Sequence, residues 1–131
     1  MTQHIVPRDK WDDKAIENLQ NCSFDEVRDK VPALLEWLQD MNWPVAGGIF
    51  DFLLPHVNEI EDEIIKIFRT DDGMWKYWIL GLIDNYQGKV NERIVNEIVR
   101  VYNEPTPDEI DCGVHEDVQE MIEKFRQKGI L

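Results

Sequence analysis

Three groups of apolar residues, each with the spacing i, i+1 and i+4, recur at intervals of thirty residues along the chain. The groups are Leu34, Leu35 and Leu38; Ile64, Ile65 and Phe68; and Ile94, Val95 and Ile98. This spacing places the members of a group on one face of a helix. A fixed period of this length is typical of helical-repeat proteins, whose units bury their apolar faces against one another.

A second helical stretch follows each group. The apolar positions of these stretches are Val45, Ile49, Phe52 and Leu53; then Trp75, Trp78, Ile79, Leu82 and Ile83; and then Val114, Val118, Met121, Ile122 and Phe125. We expect Pro44 in the first turn of its helix and Gly129 just beyond the last one. Either Asp71 or Asp72 is expected to cap the helix that carries Trp75.

The segment before the first group is predicted to form a helical cap. A short helix is indicated by Trp11, Ala15, Ile16 and Leu19. Ser23 and Glu26 have the spacing of a capping box, and Pro32 is expected in the first turn of the next helix. The sequence therefore predicts one all-α domain over 1–131, a short α-solenoid of about three stacked helical hairpins. The expected divisions are 1–30 for the cap and 31–55, 58–85 and 90–128 for the hairpins.

The chain is strongly acidic, with a formal net charge of -13 over 131 residues. Lys and Arg are absent from 31–65 and from 101–123, although both segments contain many acids. Nucleic acids and anionic membranes are bound chiefly through Lys and Arg, so this charge argues against both as partners. We expect instead a protein partner with a basic surface, because opposite charges accelerate association.

Several features predict a soluble cytoplasmic protein. The longest apolar run, YWILGLI, is too short to span a bilayer, and the first residues, MTQHIVPRDKW, lack the apolar run of a signal peptide. Cys22 and Cys112 lie far apart in dissimilar contexts. We interpret both as free thiols in a reducing compartment.

The common catalytic and cofactor-binding signatures are missing from the sequence. Cys112 and His115 have a C-x-x-H spacing, but a zinc site would need further sulfur or imidazole ligands. The segment 103–113 contains two prolines and has no helical pattern, so we interpret it as a solvated acidic loop. We therefore predict no catalytic residues, no metal site and no cofactor.

Tryptophans beside acidic residues are the candidate binding residues. Trp43 and Trp75 occupy equivalent positions in successive hairpins, and Trp37 lies off the main apolar stripe of its helix. Core packing accounts for most rings of this kind, whereas partly exposed rings serve as interface anchors. The candidate binding surface comprises Trp37, Asp40, Asn42, Trp43, Asp71, Asp72, Trp75 and Tyr77.

Three classes of function fit these features. The first is a non-enzymatic protein-interaction module, such as an immunity-type protein or an adaptor that binds a basic partner. The second is a small-molecule or enzymatic role in a groove walled by Trp and Tyr, with Asp40, Asp71 or Asp72 as its polar groups. The third is a self-associating structural unit, such as a homodimer, because solenoid ends expose apolar faces unless they are capped.

The stretches LLEWLQDMNWPVA and WKYWIL, with LLPHVNEI between them, resemble a bacterial family of small all-helical proteins, domain of unknown function 5071. The resemblance covers roughly residues 5–128 and implies a HEAT-like helical fold. It implies no activity, and no functional residues carry over from it. Gly47 and Gly48 lie within one of the predicted helices, where we expect them to mark the close approach of another helix.

Overall fold

The computed structural model describes residues 4–131, and the secondary structure within that range is helical, without a strand. The α-helices are α1 (Asp13–Gln20), α2 (Phe24–Val27), α3 (Val31–Glu36), α4 (Ala46–Leu53), α5 (Glu61–Phe68), α6 (Gly73–Asn85), α7 (Glu92–Asn103), α8 (Pro107–Asp111) and α9 (Val114–Gln127). Single turns of 3-10 helix follow α2, α3 and α4, at Arg28–Lys30, Trp37–Gln39 and Leu54–His56. The prediction of an all-α fold is confirmed.

Local capping signals set several helix starts as the sequence predicts. Ser23 and Glu26 form the capping box of α2, and Pro32 lies in the first turn of α3. Of the two expected candidates, Asp72 caps α6, because its carboxylate accepts a bond of 3.1 Å from the backbone N–H of Trp75. These bonds satisfy N–H groups that have no partner within their own helix.

Two glycines occupy positions where a side chain would be strained or crowded. Gly129 follows α9 with φ of 76°, and the N–H of Ile130 bonds to the carbonyl of Phe125, which ends the helix as expected. Gly48 lies on the face of α4 that packs against α1, where an added Cβ would overlap the side chain of Ile16. The expected close approach of another helix therefore occurs at Gly48.

Two helix starts differ from the expectation. Pro44 lies in a turn before α4 rather than in its first turn, since Val45 is the N-cap residue and the helix begins at Ala46. Trp11 lies outside α1, because Asp12 caps that helix, and its side chain is 67% exposed. Trp11 therefore does not belong to the buried face of α1, although its spacing from the other apolar residues predicted that it would.

The segment 103–113 is not the solvated loop that its prolines indicated. It contains the end of α7 and the short helix α8. Thr106 and Glu109 form a second capping box at the start of α8. Pro107 fits the first turn of α8, where its missing N–H removes no helical bond. The sequence T-P-D-E carries the capping signal, which the prolines and acids around it obscured.

The core confirms the apolar periodicity. All nine residues of the three apolar groups are buried, with relative exposures of 7% or less. All of them except Ile65 belong to one apolar cluster that includes residues from Ile5 to Phe125. Within it α5 packs against α7, α6 against α9, and α7 along α9. Among residues 4–131, no helix combines the length and the apolar character that crossing a membrane requires.

Polar side chains link positions that are a little more than thirty residues apart. The amide oxygen of Asn58 accepts a bond of 2.8 Å from the backbone N–H of Asn91, and its NH₂ group donates to the carbonyl of Lys89 at 2.8 Å. Arg93 bonds to Glu61 and Asp62 at 3.1 and 2.6 Å. Each link joins the start of α5 to the start of α7 and so fixes their relative register.

A matched pair of glycine substitutions tests the packing of α6 on α8. A Cβ at Gly73 would overlap the carbonyl oxygen of Asp108 and lie 2.7 Å from Sγ of Cys112, whereas a Cβ at Gly47 would meet nothing within 4 Å. We expect Gly73→Ala to lower the free energy of unfolding by about 1–3 kcal/mol. Gly47→Ala is expected to raise it by up to about 1 kcal/mol. Urea denaturation measures both, and equal effects would contradict the described contact.

Candidate functional site

A lysine is buried where α6 meets α8. The side chain of Lys76 is completely buried, and its Nζ donates to Asp108 Oδ2 at 2.7 Å and to Glu109 Oε2 at 2.9 Å. Burying a charge is unfavourable unless it is paired and hydrogen-bonded, and these two carboxylates meet that condition. Lys76 therefore ties the first half of α6 to α8.

Arg100 of α7 completes this ionic network. Its guanidinium binds both carboxylate oxygens of Glu109, at 2.6 and 2.8 Å, and also contacts Glu97 at 3.0 Å. A further bond of 3.1 Å reaches the carbonyl of Phe68 at the end of α5. Bidentate pairing of this kind is the strongest geometry for an arginine–carboxylate contact. The network thus connects α5, α6, α7 and α8.

The pairing alters the acidity of both carboxyl groups of α8. Burial alone would raise the pKa of Glu109, but bonds from Arg100, the backbone N–H of Thr106 and Lys76 lower it to about 2. Burial likewise opposes ionisation of Asp108, and bonds from Lys76 and the Thr106 hydroxyl lower the pKa below its usual value. Both groups are therefore held in the charged form that the buried lysine requires.

The sequence prediction missed this network. The expected apolar stripe of α6 ran through Trp75 and Trp78, which are only half-buried, whereas Lys76 is fully buried together with Ile79 and Leu80. The three aliphatic residues of the expected stripe are buried as predicted, so the prediction failed at its two tryptophans and at Lys76. Lys76 lies three and four positions before Ile79 and Leu80, which places it on the same face of the helix. This spacing was the signal in the sequence that a lysine is buried there.

An open cleft of about 930 Å³ lies over the exposed side of the ionic network. Its lining residues are Phe68, Arg69, Thr70, Asp71, Glu97, Arg100, Glu104, Thr106, Pro107, Asp108 and Asp111. A second, shallower depression adjoins it and is lined in part by Asp72, Met74 and Cys112. The two depressions share Asp71, Asp108 and Asp111, so they form one continuous surface.

We call this surface the α8 face and define it by its exposed residues Asp71, Asp72, Met74, Glu104 and Asp111. Within residues 4–131, none of the four carboxylates of the α8 face is in an ion pair. Met74 lies among them with 42% of its surface exposed. An exposed apolar side chain with acidic neighbours, held on helices that the ionic network fixes, is suited to contact a basic protein surface.

The structure divides the predicted binding residues among three places. Trp37 and Trp43 lie in the connection between α3 and α4, in an edge-to-face contact of 5.3 Å, and Asp40 accepts a bond from the backbone N–H of Asn42. Asp71 and Asp72 lie on the α8 face. Tyr77 lines a groove between α6 and α9. Trp75 lies on α6, which packs against the 3-10 turn that contains Trp37.

Trp75 has a structural contact that the sequence analysis only partly anticipated. Its indole N–H donates to the carbonyl oxygen of Leu35 at 2.9 Å, and the ring is half-buried. This bond ties the first turn of α6 to the end of α3. Among the described residues the exposed aromatic rings are those of Trp11 and Tyr102, whereas Trp37, which was expected to be exposed, is half-buried.

The segment after α8 also differs from a metal site. His115 directs Nε2 toward the carbonyl of Tyr102 at 3.2 Å, and Cys112 is half-buried beside Gly73. Across residues 4–131, no three His, Cys, Asp or Glu side chains are grouped so that they could hold a metal ion.

The fold and site define a small all-helical protein with a buried ionic network beneath an acidic surface. The family model described as Domain of unknown function (DUF5071) matches residues 5–122, and the chain belongs to this family. The resemblance stated from the sequence is thereby confirmed at the level of the family. The comparison with curated proteins gives no match.

Replacing Lys76 tests whether the network holds α8 in place. We expect Lys76→Met to lower the free energy of unfolding by about 3 kcal/mol, because it leaves buried carboxylate charge without its partner. Lys66→Met removes an exposed lysine from α5 and is expected to change stability by less than about 0.5 kcal/mol. Urea denaturation at neutral pH measures both variants, and a small effect at Lys76 would contradict the described burial.

The lowered pKa of Glu109 predicts a specific dependence of stability on pH. The ordinary pKa is 4.5 and the folded one is about 2, so the contribution of this carboxylate is complete above 4.5 and is lost as pH falls through about 2. The stability difference between wild type and Glu109→Gln should therefore shrink across that range. Urea denaturation at several pH values measures it, and a constant difference would contradict the pairing.

Proposed function

We propose that the chain is a short HEAT-like α-solenoid that acts as a non-enzymatic protein-interaction module, with the α8 face as its main contact surface for a basic partner. The observation that carries the proposal is the α8 face itself, where, within residues 4–131, exposed carboxylates that form no ion pair adjoin an exposed methionine. Complementary charge speeds association and favours one partner over others.

The spacing of the links between helices supports the solenoid part of the proposal. The bonds of Asn58 and Arg93 join residues 31 to 33 positions apart, close to the thirty-residue period of the apolar groups. The bonds from Lys76 to α8 have separations of 32 and 33. We propose hairpins at 31–55, 58–85 and 90–128, stacked in register behind a cap at 1–30.

The ionic network supports the functional part of the proposal. Asp108 and Glu109 are engaged with Lys76 and Arg100, so α8 is fixed on the helices beneath it. The acids of the α8 face, by contrast, form no ion pair within residues 4–131, and their exposed positions favour contact with a second protein. A rigid surface loses little conformational entropy on binding, which favours affinity.

The partner is proposed to be basic, as in an immunity-type protein that neutralises a basic toxin or in a cytoplasmic adaptor. The net charge of -13 supports this choice, since repulsion disfavours acidic partners. The half-buried aromatic pair Trp37 and Trp43, with Asp40 and Asn42, is proposed as a second contact region. Trp75 contributes by fixing α6 relative to α3.

A pair of charge-reversal variants tests the α8 face. Asp71→Lys with Asp111→Lys changes two exposed acids and keeps Asp72, whose carboxylate caps α6. The control, Asp29→Lys with Asp51→Lys, makes the same change in charge at exposed positions elsewhere. We expect the first variant to associate about tenfold more slowly or worse with a captured partner, and the control to be much less affected.

The measurement is affinity capture from cells of the source organism, identification by mass spectrometry, and then association kinetics with the purified partner. The wild-type association rate should fall as ionic strength rises from low to physiological values, because salt screens exposed charges. An acidic partner, an association rate that ignores salt, or equal effects of the two variants would overturn the proposal.

A further inference from the structure

A groove between α6 and α9 combines aromatic rings with acidic groups. Its volume is about 270 Å³. Its lining residues are Tyr77, Trp78, Leu80, Gly81, Asp84, Asp117, Glu120, Met121 and Lys124. The rings of Tyr77 and Trp78 lie edge to face, with their centroids 5.0 Å apart. The groove is therefore apolar along part of its wall and negatively charged elsewhere.

Asp117 lacks the kind of partner that the buried acids of α8 have. Within residues 4–131, its carboxylate makes no hydrogen bond and no ion pair, although the side chain is half-buried. Burial raises the pKa of Asp117, and the neighbouring charges of Glu120, Glu116 and Asp84 raise it further. A nearby cation would relieve both unfavourable effects.

The groove already contains one cation of the chain itself. Lys124 on α9 bonds to Asp84 on α6 at 3.1 Å across the groove. Three carboxylates and one ammonium group therefore line it, and within residues 4–131 neither Asp117 nor Glu120 forms an ion pair. The groove therefore already binds one lysine side chain at Asp84 and has further negative charge at Asp117 and Glu120.

We infer that the groove between α6 and α9 receives a lysine or arginine side chain of the basic partner. The aliphatic part of that side chain would pack on Leu80, Met121 and the aromatic pair, and its charged end would meet Asp117 and Glu120. A volume of about 270 Å³ suits one such side chain better than a drug-sized ligand, which occupies roughly 300–1,000 Å³. The inference rests on the proposed function and adds a second, more specific contact to it.

The probe is a capped decapeptide of alternating lysine and alanine, and its matched control is the same peptide with acetylated lysines. Titration of the isotope-labelled protein, followed by NMR, should show shifts at the Trp78 indole N–H, Gly81 and Met121. The acetylated peptide should produce none of these shifts, because it has no positive charge. Addition of the lysine peptide should also lower the pKa of Asp117, which a purely structural role would not change.

Three variants separate the charge, the ring and the fold. Asp117→Asn should weaken peptide binding about fivefold or more, because it removes a charge-assisted contact. Trp78→Phe keeps an aromatic ring and should weaken binding by about two- to fivefold. Glu36→Gln removes an exposed acid of α3 and should bind as the wild type does. Asp117→Asn is expected to fold normally, since it removes a carboxylate that has no partner.

The outcomes distinguish this inference from the proposed function. Shifts confined to the α8 face, with wild-type affinity for Asp117→Asn, would overturn the groove and leave the proposed function standing. Equal binding of the acetylated peptide would indicate an apolar occupant and would also overturn the inference, as would a lack of any shift at saturating peptide. Shifts in the groove, together with unchanged partner association for the Asp71→Lys and Asp111→Lys variant, would support the groove as a contact and contradict the proposed role of the α8 face.

Discussion

The pairing of Lys76 with Asp108 and Glu109 is the interaction on which the arrangement of the second half of the chain depends. An ammonium group without exposure to water is tolerated only beside carboxylates that remain ionised, and Arg100 helps to keep Glu109 in that state. Because the four residues come from α6, α7 and α8, their bonds set the position of each helix relative to the others. The α8 face lies above these four residues and is therefore held in a fixed position.

Acidic residues of this protein fall into two groups with different physical roles. Those beneath the surface, such as Glu109 and Glu97, are bonded to cations and contribute to the fold. Within residues 4–131, the acids of the α8 face form no ion pair, and in the groove between α6 and α9 Asp84 alone forms one. Repulsion among these acids is unfavourable for the isolated protein, and an approaching cation would offset it.

The sequence predicted those parts of the fold that depend on local signals. The apolar groups, the capping box at Ser23, the cap at Asp72 and the stop at Gly129 act over a few residues, and the structure has all of them. The apolar spacing around Lys76 indicates a buried side chain, but its partners lie on α8, more than thirty residues away, so no local window could reveal the pairing. The candidate binding residues were chosen by residue type and position in the period, and the structure places them on and just before the first half of α6 and in the connection between α3 and α4.

The complete burial of Lys76 has a chemical consequence for its amine. Acylating reagents reach only exposed amines, and the Nζ of Lys76 is enclosed and bonded to two carboxylates. Exposed lysines such as Lys66 and Lys128 should react in the native protein while Lys76 does not. Labelling of Lys76 would then occur only when α8 detaches, so the rate of its modification would report how often this part of the protein opens.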